Sequence, residues 1–129
     1  MLFNYDNRKV DPCNKILDGL YLGNYVSVCK KYLLERYGIT HILTVGTGLK
    51  AKFPMNYTYK IIEEYDIPTA NLKQHWKECH EFIEGAINSG GTVIVHCYAG
   101  VSRSASTVIS YLMSKYNLSY YNATCHVKN

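Results

Sequence analysis

Cys97 and Arg103 stand six positions apart, with Tyr98, Ala99, Gly100, Val101 and Ser102 between them, His96 before and Ser104 after. That spacing suits attack by a thiolate on a bound oxyanion. A connection between a strand end and a helix N-terminus can aim successive backbone N–H groups inward. With the positive end of the helix dipole they make an anion site suited to a phosphoryl group. Gly100 tolerates positive φ and Ala99 is small, so the backbone can approach an oxyanion unobstructed. A curled loop returns the Arg103 guanidinium over the phosphate, where two N–H donors match two phosphoryl oxygens; lysine cannot form that fork. The same donors favour the thiolate of Cys97, the form that attacks. The plain alternatives are a small buried residue ending a strand for Cys97 and an ordinary helix N-terminal serine for Ser104.

The departing phenolate or alkoxide needs a proton, and a positioned carboxylate that supplies it contributes of order 10² to 10⁴ in rate. Asp66 is the choice, because it sits in the turn-like segment from Glu63 to Thr69 that follows a predicted strand. Glu63 and Glu64 are rivals. Capping a turn or the coming helix is the other role open to Asp66.

These groups need a scaffold, and the apolar pattern supplies one. Lys15-Ile16-Leu17 and Leu20-Tyr21-Leu22, split by Asp18-Gly19, read as two short strands around a tight turn. Val26 to Tyr37 reads as a helix closed by Gly38, and Ile39 to Val45 as a buried strand. Tyr57 to Ile62 is the next strand. Leu72, Trp76, Cys79, Phe82, Ile83, Ala86 and Ile87 mark the core face of a helix that ends at Ser89-Gly90-Gly91. Thr92 to Val95 is a strand and Ala105 to Tyr116 a helix carrying Val108, Ile109, Leu112 and Met113. This alternation predicts an α/β domain with a mainly parallel central sheet flanked by helices. The catalytic loop falls where open α/β sheets bind ligands, at a strand C-terminus. Residues 1–13 read as an N-terminal arm and 14–129 as one domain.

Bulk composition narrows the partners. The chain has 129 residues, 47% of them hydrophobic, which suits one core. Its charge of +4 comes from 14 basic and 10 acidic residues, scattered apart from Lys30-Lys31 and Lys50/Lys52. No nucleic-acid stripe is present. A mildly basic surface favours anionic partners such as phosphorylated segments, with a role-free solvated surface as the alternative. The five cysteines contain no CxxC pair, which points to a reducing compartment and a cytoplasmic or nuclear location. No apolar run approaches the roughly 20 residues of a membrane helix, no signal peptide is recognisable, and Leu2 excludes myristoylation. The sequons at Asn56, Asn117 and Asn122 read as chance matches. His41, His75, His80 and His126 lack metal-ligand spacing, so no metal or cofactor is expected.

The segment HCYAGVSRS resembles the signature of the cysteine-based protein tyrosine phosphatases, and its tail GVSRS is most similar to their dual-specificity branch. LDGLYLGN, YGITHILTVG and GGTVIVHC extend the likeness over nearly the whole chain. The resemblance implies that fold, and a protein phosphatase acting on phosphotyrosine and phosphoserine or phosphothreonine. It further implies that Cys97 forms a phosphocysteine, that backbone N–H groups from Tyr98 through Arg103 hold the phosphate, and that His96 braces the loop. Asp66 acts as acid and then as base for water, with Asn71-Leu72 and Trp76 following at the family's offsets. Ser104 helps the thiolate leave, and no metal is needed. Family members usually continue beyond the 26 residues that follow Arg103, so a truncated C-terminus with a missing helix is expected, as a monomer or weak dimer.

Three rivals remain. A lipid phosphatase of the superfamily would carry lysines in the loop, which Tyr98, Ala99 and Val101 do not supply. A rhodanese-type phosphatase fits the upstream match poorly. A domain that only binds phosphorylated ligands has no need of Cys97, Arg103 and Asp66 together. Cys29, Cys79 or Cys125 could trap oxidised Cys97 as a disulfide.

Overall fold

In this computed structural model the described residues are 13–63, 72–98 and 102–128. Aliphatic and β-branched runs supply five strands: β1 (Cys13–Leu17), β2 (Leu20–Gly23), β3 (His41–Val45), β4 (Thr58–Ile62) and β5 (Val93–His96). They form one sheet in the order β1-β2-β5-β3-β4. β2, β5, β3 and β4 run parallel, while β1 is antiparallel to β2. Asp18-Gly19 turns that hairpin, with Gly19 at φ 89°, a conformation that side-chain-bearing residues rarely adopt. The α/β class with a mainly parallel sheet is therefore as expected.

Helices cover both faces. α1 (Tyr25–Cys29) and α2 (Lys31–Arg36) lie on one side; α3 (Trp76–Asn88), α4 (Ser102–Tyr116) and α5 (Tyr120–Lys128) lie on the other. Successive residues of a strand point to opposite faces. Val93 and Val95 thus pack with Ile83, Val108 and Leu112 on the α4 side, whereas Ile94 packs with Ile42, Val28 and Leu34 on the α1 side. Being covered twice explains why Val93-Ile94-Val95 of β5 is an unbroken apolar run rather than alternating. Gly23, paired with His96, sits where an added Cβ would press on the Ser27 hydroxyl and stand 2.8 Å from Ile94 Cδ1, so a larger residue would force those side chains to shift.

Several boundaries differ from expectation. The helix read from Val26 to Tyr37 is two helices, broken at Lys30, whose backbone is extended (φ −118°, ψ 110°). Ser27, Val28, Leu33 and Leu34 are all buried, and on one continuous helix they would span about 220° of its circumference; the break gives each short helix its own buried face. Asn24 caps α1, its side chain accepting from Ser27 N–H at 3.1 Å. The stripe from Leu72 enters α3 through a 3₁₀ turn, Leu72–His75. His75 before Trp76 makes no side-chain cap, and a tighter turn serves in its place. β1 begins at Cys13, one residue inside the arm drawn over residues 1–13, the rest of which lies outside the described residues. Among the described residues no helix is long and apolar enough to cross a membrane.

Candidate active site

β5 delivers the chain directly into Cys97. The strand alternation that separates Val95 from Ile94 continues one step further. His96 turns toward α1, where its ring meets Tyr25 at 6.4 Å. Cys97 turns toward the N-terminus of α4, with Sγ 3.4 Å from Ser104 Oγ. Both are 2% exposed.

His96 is tied at both ring nitrogens. Nε2 lies 2.8 Å from Thr44 Oγ1 and Nδ1 lies 3.3 Å from the Cys97 carbonyl. A carbonyl oxygen can only accept. Nδ1 therefore carries the proton and donates to Cys97 O, and Nε2 accepts from the Thr44 hydroxyl. Burial pushes the imidazole down to about 4, so the ring is neutral at pH 7 and this tautomer is the one the site holds. The Cys97 carbonyl is thereby fixed at the point where the loop leaves β5.

Thr44 stands opposite His96 in the β3–β5 register, and sequence reasoning missed it. The available signal was a buried strand, ITHILTV, with a polar residue next to its end that must find a partner. Thr44→Val leaves Nε2 unpaired in the interior and is expected to cost about 1–3 kcal/mol, read as a lower urea midpoint at unchanged slope. The same ring makes stability depend on pH. Its folded value lies below the unfolded 6.5, so its contribution is complete above pH 6.5 and is lost as pH falls toward 4. The loss is up to roughly 3 kcal/mol at about 1.4 kcal/mol per unit. Urea titrations at pH 7, 5.5 and 4.5 test this, and His96→Asn should flatten the curve; an unchanged slope would count against it.

α4 begins at Ser102, which is exposed and whose carbonyl accepts from Ser106 Oγ at 3.0 Å. Arg103 is half-buried in the first turn and Ser104 fully buried. The helix thus points the positive end of its dipole at Cys97. Arg103 reaches back across the end of β3, where a Cβ on Gly46 would stand 3.8 Å from Nη2 and 3.1 Å from Leu49 Cδ1. Gly46 and Leu49 were also missed, since nothing in their local pattern marks contact with a residue more than fifty positions away. Tyr98 is 62% exposed and its ring meets Tyr25 edge-on at 5.3 Å.

Ala99, Gly100, Val101 and Asp66 lie outside the described residues, as does the rival Glu64. Glu63 is exposed just after β4. The five cysteines form no disulfide. Cys13 packs on the α1 side, away from the Cys97 face, and the Cys79 thiol, buried in the core, is pushed up to about 11. Among the described residues no group of His, Cys, Asp and Glu could hold a metal ion. His80 Nε2 donates to Ser110 Oγ at 2.8 Å, because that hydroxyl already donates to Thr107 O.

A buried thiol and a hydroxyl meet at a helix N-terminus, and a guanidinium lies beside the end of the neighbouring strand β3, which is equipment suited to covalent transfer of an anionic group. Comparison with known proteins agrees. Residues 20–129 match the family model of the dual specificity phosphatase catalytic domain. The chain is 40% identical over 114 residues to dual specificity protein phosphatase 1 of Arabidopsis thaliana, covering 88% of this chain and 58% of that one. It is 46% identical over 101 residues to dual specificity protein phosphatase 22-A of Danio rerio, covering 78% and 48%. It thus spans about half the length of these curated relatives. The structure superposes on the human tyrosine phosphatase-like serine/threonine/tyrosine-interacting protein with a TM-score of 0.85 at 35% identity, covering 90% of this chain and 82% of that one. For DUSP15 the TM-score is 0.84 at 34% identity, covering 90% and 74%.

Proposed function

The chain belongs to the dual specificity phosphatase family, and from that membership we propose that it hydrolyses phosphotyrosine and phosphoserine or phosphothreonine in protein substrates through a phosphocysteine at Cys97. The observation that carries the reading is the buried Cys97 Sγ at the N-terminus of α4, in contact with the Ser104 hydroxyl. In the first step the thiolate attacks phosphorus and the bond to the leaving oxygen breaks, with Asp66 delivering the proton. In the second, Asp66 takes a proton from water, water attacks phosphorus and the S–P bond breaks. Ser104 then donates to the departing thiolate. Arg103 and the loop N–H groups of Tyr98 to Arg103 hold the equatorial oxygens throughout, and His96 keeps the loop in place. Splitting one displacement into two lowers each barrier. No step requires a metal. A nucleophile that must stay reduced favours a cytoplasmic or nuclear home.

Purified protein should release phosphate from p-nitrophenyl phosphate and from phosphotyrosine and phosphothreonine peptides in the presence of a chelator; no release from any of them would refute the assignment. Asp66→Asn should slow a peptide, whose leaving group is poor, by about 10²-fold, and p-nitrophenyl phosphate much less. Equal rates on the peptide would move the acid role to Glu63 or Glu64. A second reading, binding without turnover, is suggested by the solved neighbour named as an interacting protein. The presence of both Cys97 and Arg103 favours turnover.

A further inference from the structure

On the α1 side the mouth of the catalytic loop is edged by two tyrosines. Tyr98 follows Cys97 at one Cα–Cα step of ~3.8 Å and is 62% exposed, while Tyr25, the first residue of α1, is 39% exposed. Their rings meet edge-on at 5.3 Å. Among the described residues this is the one ring pair whose members are both exposed. The contacts Tyr21–Tyr37, His41–Phe82, Phe53–Tyr57 and His80–Tyr111 are made between buried or partly buried side chains.

The pair is propped from the interior. Tyr25 packs on Tyr98 and also on the buried His96, whose ring centroid lies 6.4 Å from its own. Its hydroxyl is hydrogen-bonded with the thiol of Cys29, the last residue of α1. His96 is held in turn by Thr44 Oγ1 and the Cys97 carbonyl. A chain of contacts thus runs from the sheet to Tyr98 and restricts its ring in a way that a solitary surface tyrosine is not restricted.

Position decides what passes this ring. Phosphoryl transfer is in line, so the leaving oxygen points away from Cys97 Sγ and out of the mouth, and the carbon bonded to it is the first substrate group beyond the loop. In phosphotyrosine that carbon belongs to an aromatic ring. In phosphoserine or phosphothreonine it belongs to a short alkyl side chain.

We propose that Tyr98, propped by Tyr25, is an aromatic platform for the ring of a phosphotyrosine substrate and biases the site toward aryl over alkyl phosphate esters. The inference rests on the phosphatase reading above and narrows its substrate class. Aromatic rings favour offset or edge-to-face contact at centroid distances of roughly 4.5–7 Å, and an alkyl ester offers Tyr98 no such partner. Because the substrate ring is bound alike before and during transfer, the platform acts on KM rather than on kcat.

The test measures kcat and KM on two peptides identical except for phosphotyrosine or phosphothreonine at one position. Tyr98→Ala should raise KM for the phosphotyrosine peptide by about two- to tenfold more than for the phosphothreonine peptide, whereas Tyr98→Phe, which keeps the ring, should hold the wild-type ratio. Tyr25→Ala should move the ratio the same way by a smaller factor, and it carries the comparison if circular dichroism shows Tyr98→Ala to be misfolded. Equal losses on both peptides would mean that Tyr98 only shapes the loop and would overturn the platform. So would a phosphotyrosine loss confined to kcat, or a Tyr98→Phe variant as impaired as Tyr98→Ala, which would assign the effect to the hydroxyl. If wild-type protein turns over neither peptide, the phosphatase reading falls, and calorimetric binding of the same two peptides to wild-type and Tyr98→Ala protein still decides the platform.

Discussion

Cys97→Ser is expected to lower phosphate release by at least about 10⁴-fold while leaving the fold and phosphate binding intact. The hydroxyl of serine is far less acidic than a thiol, so at neutral pH no comparable fraction of nucleophile exists. The position itself is not in question, because the side chain at residue 97 is buried against Ser104 Oγ and serine is slightly smaller than the cysteine it replaces. Binding should survive, since the anion is held by backbone N–H groups, the α4 dipole and Arg103 rather than by the sulfur. Phosphate release measures the first part and calorimetry with inorganic phosphate the second, with circular dichroism as the control for folding. Retention of turnover within tenfold would remove Cys97 from the mechanism.

Arg103→Lys should reduce kcat/KM by about 10²- to 10³-fold, the range found when one donor to a developing oxyanion is removed. The charge is preserved, so the loss isolates the fork. Guanidinium presents two parallel N–H groups to two oxygens, whereas an ammonium acts as a point charge on a flexible stem. Arg103 lies half-buried alongside Gly46, which orients that fork, and lysine at the same place would leave part of the space unfilled. Because charge spreads over the equatorial oxygens as transfer proceeds, most of the effect should fall on kcat rather than KM. A drop of less than tenfold, or one confined to KM, would mean that Arg103 attracts the substrate without clamping the transferring group.

HCYAGVSRS and its flanks carry the family resemblance within contiguous stretches of chain, and the elements that present the loop are legible from β-branched runs and the α3 stripe. The parts that escaped are instructive. Lys30 breaks a helix that local periodicity continues, because four residues had to be buried on two helices instead of one. Thr44 looked like one more strand residue, and nothing marked Gly46. Each acquires its role through a residue distant in the chain: His96 for Thr44 and Arg103 for Gly46.

What the sequence by itself determined is the chemistry proposed for residues 96–104. The proposed nucleophile and its proposed clamp are six residues apart, where spacing along the chain largely dictates spacing in space. What only the tertiary structure decided is how that loop is held and what surrounds it. The β3–β5 register sets Thr44 opposite His96, and the parity of β5 sends His96 to one face and Cys97 to the other. Those relations depend on which strands become neighbours, a choice made by burying both faces of the sheet at once, and no local pattern of residues records it.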